Sequence, residues 1–279
     1  MLRLLLDIVV FVVFVLFGIE GFAYADSNSE TKAVKYDKKK NMSIDLSIGY
    51  SQQVDSSNTK FKSLTFDLIT TYSLNDYLDI FAGLPLVYTQ RTDSQDTTRS
   101  NTGIGDIDFG LYYQLIKEDD FFISARPFLI VKTNSGSSPY RATGSEVVSG
   151  DGHWSIEGGA DFSKTFDKIT IFSQVAYTYF FDQIINSQRN EHGDVIYYHV
   201  GSSYQLNKNL SASLRVEDSF LGDSRINGVV SEDSRTPINI TASAEYYLSP
   251  TVTITPLATF GLNNASKDFS FNITYGYKF

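Results

Sequence analysis

Two small groups of residues have types and a spacing that could do chemistry. His153 and Ser155 are two residues apart, which puts both side chains on one face of a β-strand. A serine nucleophile needs a histidine base and a third group that orients the histidine, and no such third group is identifiable. Asp106 and Asp108 share a face in the same way, but wall carboxylates without a ligand loop do not indicate Ca²⁺. We therefore predict no catalytic residue, no metal site and no cofactor.

The composition narrows the function classes further. The chain has no cysteine, which removes disulfides, thiolate catalysis and cysteine-based metal sites. A formal net charge of −9 provides no basic surface, so nucleic acid is not a predicted partner. The 18 tyrosines and 21 phenylalanines are typical of an aromatic-rich β protein.

The last eleven residues show the clearest structural pattern of the chain. Apolar, mostly aromatic side chains fill every second position, with Ser, Asn, Thr, Gly and Lys between them. This alternation predicts a strand with lipid on one side and a polar lumen on the other. The ending also resembles the C-terminal signal by which bacterial outer-membrane barrels are recognised for assembly. The predicted assembly signal consists of Phe269, Phe271, Ile273, Tyr275, Tyr277 and Phe279.

The first residues predict export. The apolar run 8–19 is shorter than the roughly 20 residues that a spanning helix needs, and an Ala23-Tyr24-Ala25 cleavage site follows it. We interpret residues 1–25 as a cleavable signal peptide and the lysine-rich residues 26–42 as a flexible periplasmic leader. Residues 43–279 are then an outer-membrane β-barrel, because no later segment could form a spanning helix and only a closed barrel remains.

Five short turn signals, near residues 75, 118, 167, 208 and 250, alternate with six longer polar loops. Eleven connections join twelve strands, so we predict an all-β, antiparallel, up-and-down barrel with both termini on one side. Short turns are expected to face the periplasm and long loops the outside. The predicted strands are 43–52, 59–73, 77–92, 104–117, 120–133, 153–166, 168–182, 194–206, 210–220, 237–248, 251–262 and 268–279.

Side-chain parity within these strands assigns a polar face to the lumen. The predicted lumen-lining residues are Asp45, Asp67, Asp79, Asp106, Asp108, Arg126, Glu157, Asp161, His199, Arg215, Glu217 and Glu245, together with Lys132 and Lys278. Acidic residues exceed basic ones, which favours a narrow conduit for cations or neutral polar solutes. The alternative is a sealed barrel in which Arg126 and Arg215 neutralise carboxylates. Twelve strands do not decide between an open and a filled lumen.

Three prolines inside strands, Pro85, Pro127 and Pro256, each remove a ladder donor and predict a local bulge or gap. A further hypothesis is that Pro85 and Pro127 weaken the wall beside the fourth strand and allow an apolar solute to leave sideways into the membrane.

Two family resemblances bear on the function. The His-x-Ser spacing, the chain length and the strand count are similar to those of outer-membrane phospholipase A, but Ser155 is followed by Ile156-Glu157-Gly158 instead of that family's Asn-Gly. Thr102-Gly-Ile-Gly-Asp-Ile-Asp108, preceded by Gly83-Leu-Pro85, resembles a strand of the outer-membrane proteins assigned to the MetA pathway of phenol degradation. That resemblance implies a barrel that passes hydrophobic or aromatic compounds and identifies no binding residue.

These observations predict an outer-membrane channel for small solutes with a narrow acidic lumen. A lipid hydrolase based on His153 and Ser155, and a sealed structural or adhesion barrel acting through loop 134–152, are the alternatives. The expected partners are outer-membrane lipid and lipopolysaccharide, the barrel-assembly machinery, periplasmic chaperones and a small solute.

Overall fold

The computed structural model describes residues 42–54, 58–119, 122–137, 147–185 and 187–279. The predicted signal peptide and all of the predicted leader except Met42 lie outside these ranges. Within them the chain forms the strands β1 Met42–Val54, β2 Lys60–Ser73, β3 Leu78–Thr92, β4 Thr98–Ile104, β5 Asp108–Tyr113, β6 Ser124–Lys132, β7 Ser155–Phe166, β8 Ile169–Phe180, β9 Gln183–Ile185, β10 Gln188–Glu191, β11 Val195–Asn207, β12 Leu210–Leu221, β13 Ser224–Ile226, β14 Val229–Glu232, β15 Ile238–Ser249, β16 Val252–Gly261 and β17 Phe269–Lys278. Among the described residues, no helix has the length and apolar character needed to cross a membrane.

The large sheet is a closed, antiparallel, twelve-stranded barrel. Each wall strand pairs with the next along the chain, and β17 closes the ring on β1 with a register that runs from Ser43 opposite Lys278 to Gln52 opposite Phe269. β4 and β5 both pair with β3 and together form one wall strand. The predicted fold class is therefore confirmed, and the predicted bounds of most wall strands agree with the structure within about three residues.

Alternation along each strand produces two different faces. The exposed large apolar side chains, such as Ile273, Tyr275 and Tyr277 of β17, share one face, and the polar residues between them share the other. We refer to these as the apolar face and the polar face. Two carboxylates lie at the apolar face, close to the ends of strands that lead into the long loops. The Tyr177 hydroxyl of β8 donates to Asp194, and the Tyr198 hydroxyl of β11 donates to Asp218 of β12. Such a face is solvated by acyl chains in a membrane barrel.

The fourth wall strand differs from its predicted bounds of 104–117. It begins at Thr98, because a polar stretch that lacks apolar alternation still extends the ladder with β3 from Thr98 to Ile104. The strand then breaks at residues 105–107, where the Gly105 amide donates to the Pro85 carbonyl oxygen at 2.8 Å. Two glycines, Gly103 and Gly105, flank or form this break. A Cβ atom would lie 3.1 Å from Ser149 Oγ at Gly103 and 2.9 Å from Pro85 Cγ at Gly105, so the inner side leaves little room for a side chain at either position.

Each strand proline lies beside an interruption of a ladder, as the sequence predicts. Pro85 is opposite the break between β4 and β5. Next to Pro127, the amides of Leu115 and Ile116 both donate to the carbonyl oxygen of Ala125, which is the hydrogen-bond pattern of a β-bulge. The pairing of β15 with β16 has a gap between Ser243–Leu257 and Tyr246–Ile254, and Pro256 falls within it.

A second, four-stranded sheet occupies segments that were predicted to be loops. β9 and β10 form one hairpin, β13 and β14 form another, and β10 joins them by pairing with β13. Asn227 and Gly228 form the tight turn between β13 and β14, both with positive φ (52° and 79°). Asn-Gly is the strongest short-range hairpin signal, so this hairpin was recognisable from the sequence. The pairing between the two hairpins joins residues far apart in the sequence, and it was not recognisable from the sequence.

Candidate functional site on the inner face

The polar face is the concave, inner face of the barrel. Arg126 on β6 reaches past β5 to Asp79 on β3, with 3.1 Å between Nη2 and Oδ2. The Arg126 guanidinium also lies 4.1 Å from the centre of the Tyr112 ring on β5. Side chains two strands apart converge on the concave face of a curved wall and diverge on its convex face, so this contact lies on the inside. Any passage through the molecule is therefore bounded by the polar face.

A row of predicted lumen residues runs across neighbouring strands along the hydrogen-bonding direction. Arg126 is opposite Asp161, which is opposite Gln174; Gln174 is opposite His199, which is opposite Glu217. Gln174 donates to the Asp161 carboxylate at 2.7 Å. The row therefore brings two acids, one base and a histidine together along the wall.

Three further predicted residues are held by hydrogen bonds. Arg215 Nε lies 2.5 Å from Glu217 Oε1, and the Thr241 hydroxyl donates to the same oxygen at 2.8 Å. Glu157 accepts from the Thr178 hydroxyl at 2.9 Å, and Glu245 accepts from the Tyr247 hydroxyl at 2.8 Å. The carboxylates of Glu157 and Glu245 are therefore held by neutral hydroxyl donors.

Asp45, Asp67 and Asp108 lie elsewhere on the same wall. Asp45 is opposite Gly276 of β17, and Asp67 is opposite Pro85 of β3. Asp108 begins β5, and its buried Oδ1 has no hydrogen-bond partner within the described part of the chain. These three acids are distributed along the wall and do not form a cluster. Across the described residues, no group of histidine and acidic side chains has the arrangement of a metal site.

Asp106 has a different environment from the other predicted lumen residues. It is 7% exposed, and its carboxylate accepts the amide of Gly136 at 2.8 Å and the amide of Asp151 at 2.6 Å. Nearby, Ser149 Oγ donates to the carbonyl oxygen of Ile104 at 2.9 Å. The described parts of the connection between β6 and β7, residues 133–137 and 147–154, therefore lie against the inside of the wall at β3 and β4. We call residues 133–137 and 147–151 the inward segment.

Two more contacts fix the inward segment. The Thr89 hydroxyl of β3 donates to the Val148 carbonyl oxygen at 3.0 Å, and Lys132 Nζ lies 3.6 Å from the Asp151 carboxylate. A Cβ atom at Gly105 would lie 2.9 Å from Pro85 Cγ and 3.2 Å from the Ser149 carbonyl oxygen, so the segment lies beside the stretch of β3 from Pro85 to Thr89. It narrows the cross-section of the barrel on this side.

Sequence reasoning missed a set of aromatic side chains on the inner face. Phe81 is directly opposite Gly110, Phe128 opposite Gly159, and Phe172 opposite Gly201. A Cβ atom at these glycines would lie 2.3, 2.5 and 2.6 Å from the facing phenylalanine ring, so each ring covers its glycine. The three pairs occupy the same place in three successive hairpins. Side-chain alternation along their strands places these phenylalanines on the polar face, and this was the sequence signal that could have identified them.

The remainder of the inner wall is rich in hydroxyl groups. Serine and threonine pairs bridge neighbouring strands here through hydrogen bonds of 2.6–2.9 Å; they are Ser47–Thr274, Ser51–Ser63, Ser213–Ser243 and Thr241–Thr259. These four hydroxyl pairs lie on β12, β15 to β17, β1 and β2, whereas the three phenylalanine–glycine pairs lie on strands from β3 to β11.

His153 and Ser155 are both enclosed. His153 is 0% exposed and Ser155 is 3% exposed, and Nδ1 of His153 donates to the carbonyl oxygen of Phe181 at 2.8 Å. A backbone carbonyl therefore occupies the position where a hydrolase would place a carboxylate. Burial lowers the pKa of His153 from its usual value. The pair has no open path to an ester in the membrane.

We expect Ser155→Ala to leave any lipid-ester hydrolysis by the purified, refolded protein unchanged, because the Ser155 hydroxyl is buried. Release of a chromogenic acid from a lipid ester measures this. Ser163→Ala, on the same strand and face, is the matched control. Loss of activity in the Ser155 variant alone would contradict the expectation and restore the hydrolase alternative.

The predicted assembly-signal residues form the closing strand. β17 pairs with β1 on one side and β16 on the other, and the Phe279 amide donates to the Met42 carbonyl oxygen at 2.9 Å. The rings of Tyr277 and Phe279 meet edge to face at 4.7 Å. The residues with the most regular alternation in the sequence thus complete the barrel.

A closed antiparallel barrel with an apolar outer face and a polar inner face defines the class of outer-membrane β-barrel proteins. The fold is similar to that of an outer membrane channel from Pseudomonas putida F1, with a TM-score of 0.77 and 15% identity over 90% of this chain and 100% of that one. It is also similar to the β-domain of the Bordetella autotransporter BrkA, with a TM-score of 0.57 and 9% identity over 86% of this chain and 100% of that one. The NanC porin matches with a TM-score of 0.53 and 12% identity over 85% of this chain and 100% of that one.

The sequence also matches a family model over residues 60–279. The chain belongs to that family, which is described as "Putative MetA-pathway of phenol degradation". The match includes the break at residues 105–107, the inward segment and all three phenylalanine–glycine pairs. The predicted resemblance to this family is therefore confirmed.

Proposed function

We propose that the protein is a passive outer-membrane channel for small solutes. The observation that carries the proposal is the inner face, where charged and hydroxyl side chains line a closed twelve-stranded wall. A barrel of about eight strands is filled by its own side chains, whereas barrels of 16–18 strands hold an aqueous channel. Twelve strands together with an inward segment correspond to a narrow passage. The similar outer membrane channel and the NanC porin support the same interpretation.

The charges of the inner face support a preference for cations and neutral solutes. Arg126 and Arg215 each hold one carboxylate, Asp79 and Glu217. Other acids, such as Glu157, accept hydrogen bonds from neutral donors. A confined passage with excess negative charge concentrates cations and excludes anions. The family description, which refers to phenol degradation, supports aromatic compounds as one class of solute.

Planar-bilayer recording of the purified, refolded protein tests the proposal. We expect stepwise, cation-selective currents, and a lower cation-to-anion permeability ratio in an Asp45→Asn/Asp67→Asn variant because two inner carboxylates lose their charge. Asp96→Asn, in the turn after β3, is the matched control and should leave the ratio unchanged. Heat-modifiable gel migration shows whether the protein is folded. If folded protein gives no current in the bilayer, the channel proposal is contradicted and a sealed barrel is favoured.

Localisation and assembly follow from the same proposal. We place the chain in the outer membrane after export by the predicted signal peptide, with lipid and lipopolysaccharide around the apolar face. The aromatic closing strand β17 has the alternation by which the barrel-assembly machinery and periplasmic chaperones recognise substrates of this class.

A further inference from the structure

His153 connects three parts of the structure that are far apart in the sequence. It comes two residues after the inward segment, and Gly152 between them has a φ of 79°. Its Nδ1 donates to the carbonyl oxygen of Phe181, directly after β8, at 2.8 Å. Its ring meets the ring of His192 edge to face, with 5.7 Å between the centres. One enclosed side chain therefore joins the inward segment to the end of β8 and to the connection that follows β10.

His192 extends this junction to the four-stranded sheet. Its ring stacks on Phe180, the last residue of β8, with 4.0 Å between the centres and an interplanar angle of 30°. The amide of the next residue, Gly193, donates to Ser224 Oγ of β13 at 3.3 Å. His192 is partly exposed, whereas His153 is 0% exposed. The pair therefore consists of one enclosed imidazole and one that solvent reaches.

The charged groups that face His153 already have partners of opposite charge. Asp151, from the same connection, lies 3.6 Å from Lys132 Nζ. Asp182, which follows β8, lies 2.5 Å from Arg189 Nη2 of β10. Each of these two acids is shared with a base, so neither supplies its full negative charge to the histidine.

The groove beside His192 has charges of both signs. Its charged lining residues are Asp182, Glu191, Asp194, Asp223 and Arg225. The Asp194 carboxylate accepts the Phe180 amide at 3.3 Å, and the Glu191 carboxylate lies 3.1 Å from Arg189 Nε. These acids are therefore also engaged by the groups around them.

Burial decides the protonation state of His153. It is the strongest influence on the pKa of His153 and lowers it, and the nearby imidazole of His192 acts in the same direction. The Phe181 carbonyl and the carboxylates of Asp151 and Asp182 act in the opposite direction without reversing the shift. An imidazolium at this position is a desolvated charge beside a second ring that also takes up a proton. The neutral ring is therefore the form that fits the junction.

We propose that His153 and His192 form an acid-sensitive latch that holds the inward segment in place. The neutral rings fit between the end of β8 and the four-stranded sheet, and protonation expels His153 from this position. Its displacement also moves Asp151, whose amide is one of the two that Asp106 binds. The inference adds regulation to the proposed channel, and it rests on that proposal only for its effect on transport.

The pH range of the latch follows from the direction of the pKa shift. In the released segment His153 has the ordinary histidine pKa of about 6.5, and in the held segment its pKa is lower. The held form therefore has its full advantage above about pH 6.5 and loses it as the pH falls below that value. Each pH unit below it raises the ratio of released to held segments by up to about tenfold, until the pKa of the held form is reached.

Thiol labelling measures the release, because the chain has no cysteine of its own. Val148→Cys places a single thiol in the inward segment, and the backbone carbonyl at this position can still accept the Thr89 hydroxyl. Ser94→Cys, in the exposed turn after β3, reports how thiol reactivity itself changes with pH. The full chain is refolded in detergent micelles and treated with a maleimide that carries a polyethylene glycol chain, and gel shifts give the two rates.

We expect the labelling rate of the inward segment, relative to the reference, to rise severalfold between about pH 7.5 and about pH 5. His153→Gln keeps a donor for the Phe181 carbonyl but takes up no proton, so the rise should disappear. His199→Gln, which removes the third histidine of the chain, is the matched control and should retain the rise. If His153→Gln does not fold by gel migration, His192→Gln is used instead and should make the rise smaller, because the second imidazole is gone.

A relative rate that does not change with pH in the protein with all three histidines would overturn the latch. An acid response that persists in His153→Gln would also overturn it and assign the release to protonation of Asp106, and an equal loss in His199→Gln would overturn it too. The measurement needs no ion current, so a barrel that is silent in bilayers still reports the latch. Conversely, currents from a protein whose labelling is insensitive to acid would leave the channel standing and refute the latch.

Discussion

Replacement of Asp106 by alanine is expected to detach the inward segment from the wall and to raise the single-channel conductance. The carboxylate accepts two backbone amides, those of Gly136 and Asp151. A hydrogen bond to a charged group contributes about 1.5–3 kcal/mol, so two correspond to roughly 3–6 kcal/mol. Since about 1.4 kcal/mol is a factor of ten, the ratio of attached to detached segments should fall by roughly a hundredfold or more.

The effect on conductance follows from where the segment lies. Val148 and Ser149 are anchored to Thr89 and Ile104, on the inside of the wall. Detachment would widen the passage at this side and add current noise as the segment moves. Asp106→Asn, which keeps one carbonyl oxygen as an acceptor, should have an intermediate effect.

Asp67→Asn is the charge-matched control, because it removes one inner carboxylate from β2 and should change selectivity more than conductance. Bilayer recording under identical salt measures both. An Asp106→Ala channel with wild-type conductance and noise would show that the inward segment is held by its remaining contacts, and that Asp106 contributes charge only.

The second large effect concerns Gly110. A Cβ atom at this position would lie 2.3 Å from Cε1 of Phe81 and 2.9 Å from the carbonyl oxygen of Leu129. Gly110→Ala should therefore lower the free energy of unfolding, with overpacking costing about 1–3 kcal/mol. The nearest group is a side chain, so a second substitution can relieve most of the clash.

Phe81→Ala/Gly110→Ala should lose less stability than the sum of the losses in the two single variants, because the Gly110→Ala clash is absent when Phe81 is removed. The coupling of such contacting residues is typically about 0.5–3 kcal/mol and is obtained from a double-mutant cycle. Urea titration of the barrel refolded in lipid vesicles provides the four free energies. The control is Gly158→Ala on the apolar face, where a Cβ atom would come no closer than 3.9 Å to Leu129 and the substitution should be nearly neutral. Additive losses would contradict the packing of Phe81 over Gly110.

The architecture could be read from the sequence because a membrane barrel repeats one local rule. Alternation with period two fixes a face for every residue, and short polar turns fix the strand ends, so β17 and β11 were predicted nearly to the residue. The rule fails where a strand leaves the apolar environment. Residues 98–103 are polar on both faces, and their pairing with β3 depends on a partner and not on their own pattern.

The candidate site was less predictable, since it depends on contacts between distant residues. Parity proposed Asp106 for the inner face, but nothing in the sequence indicates that its carboxylate binds amides 30 and 45 residues away. In the same way, charge drew attention to Arg126 and Asp161, while the pairing of Phe128 with Gly159 depends on register. Whether the predicted lumen residues line a conducting pathway stays a prediction until the bilayer experiments are done.

The four-stranded sheet outside the barrel joins two loops that are separate in the sequence. Asn190 is opposite Ile226 and Glu191 is opposite Arg225, so the connection between β8 and β11 shares backbone hydrogen bonds with the connection between β12 and β15. A bacteriophage or antibody that binds and displaces one hairpin would therefore also displace the other. Substitutions in one hairpin should therefore be accompanied by substitutions in the other. An epitope tag inserted into one hairpin would alter the conformation of both.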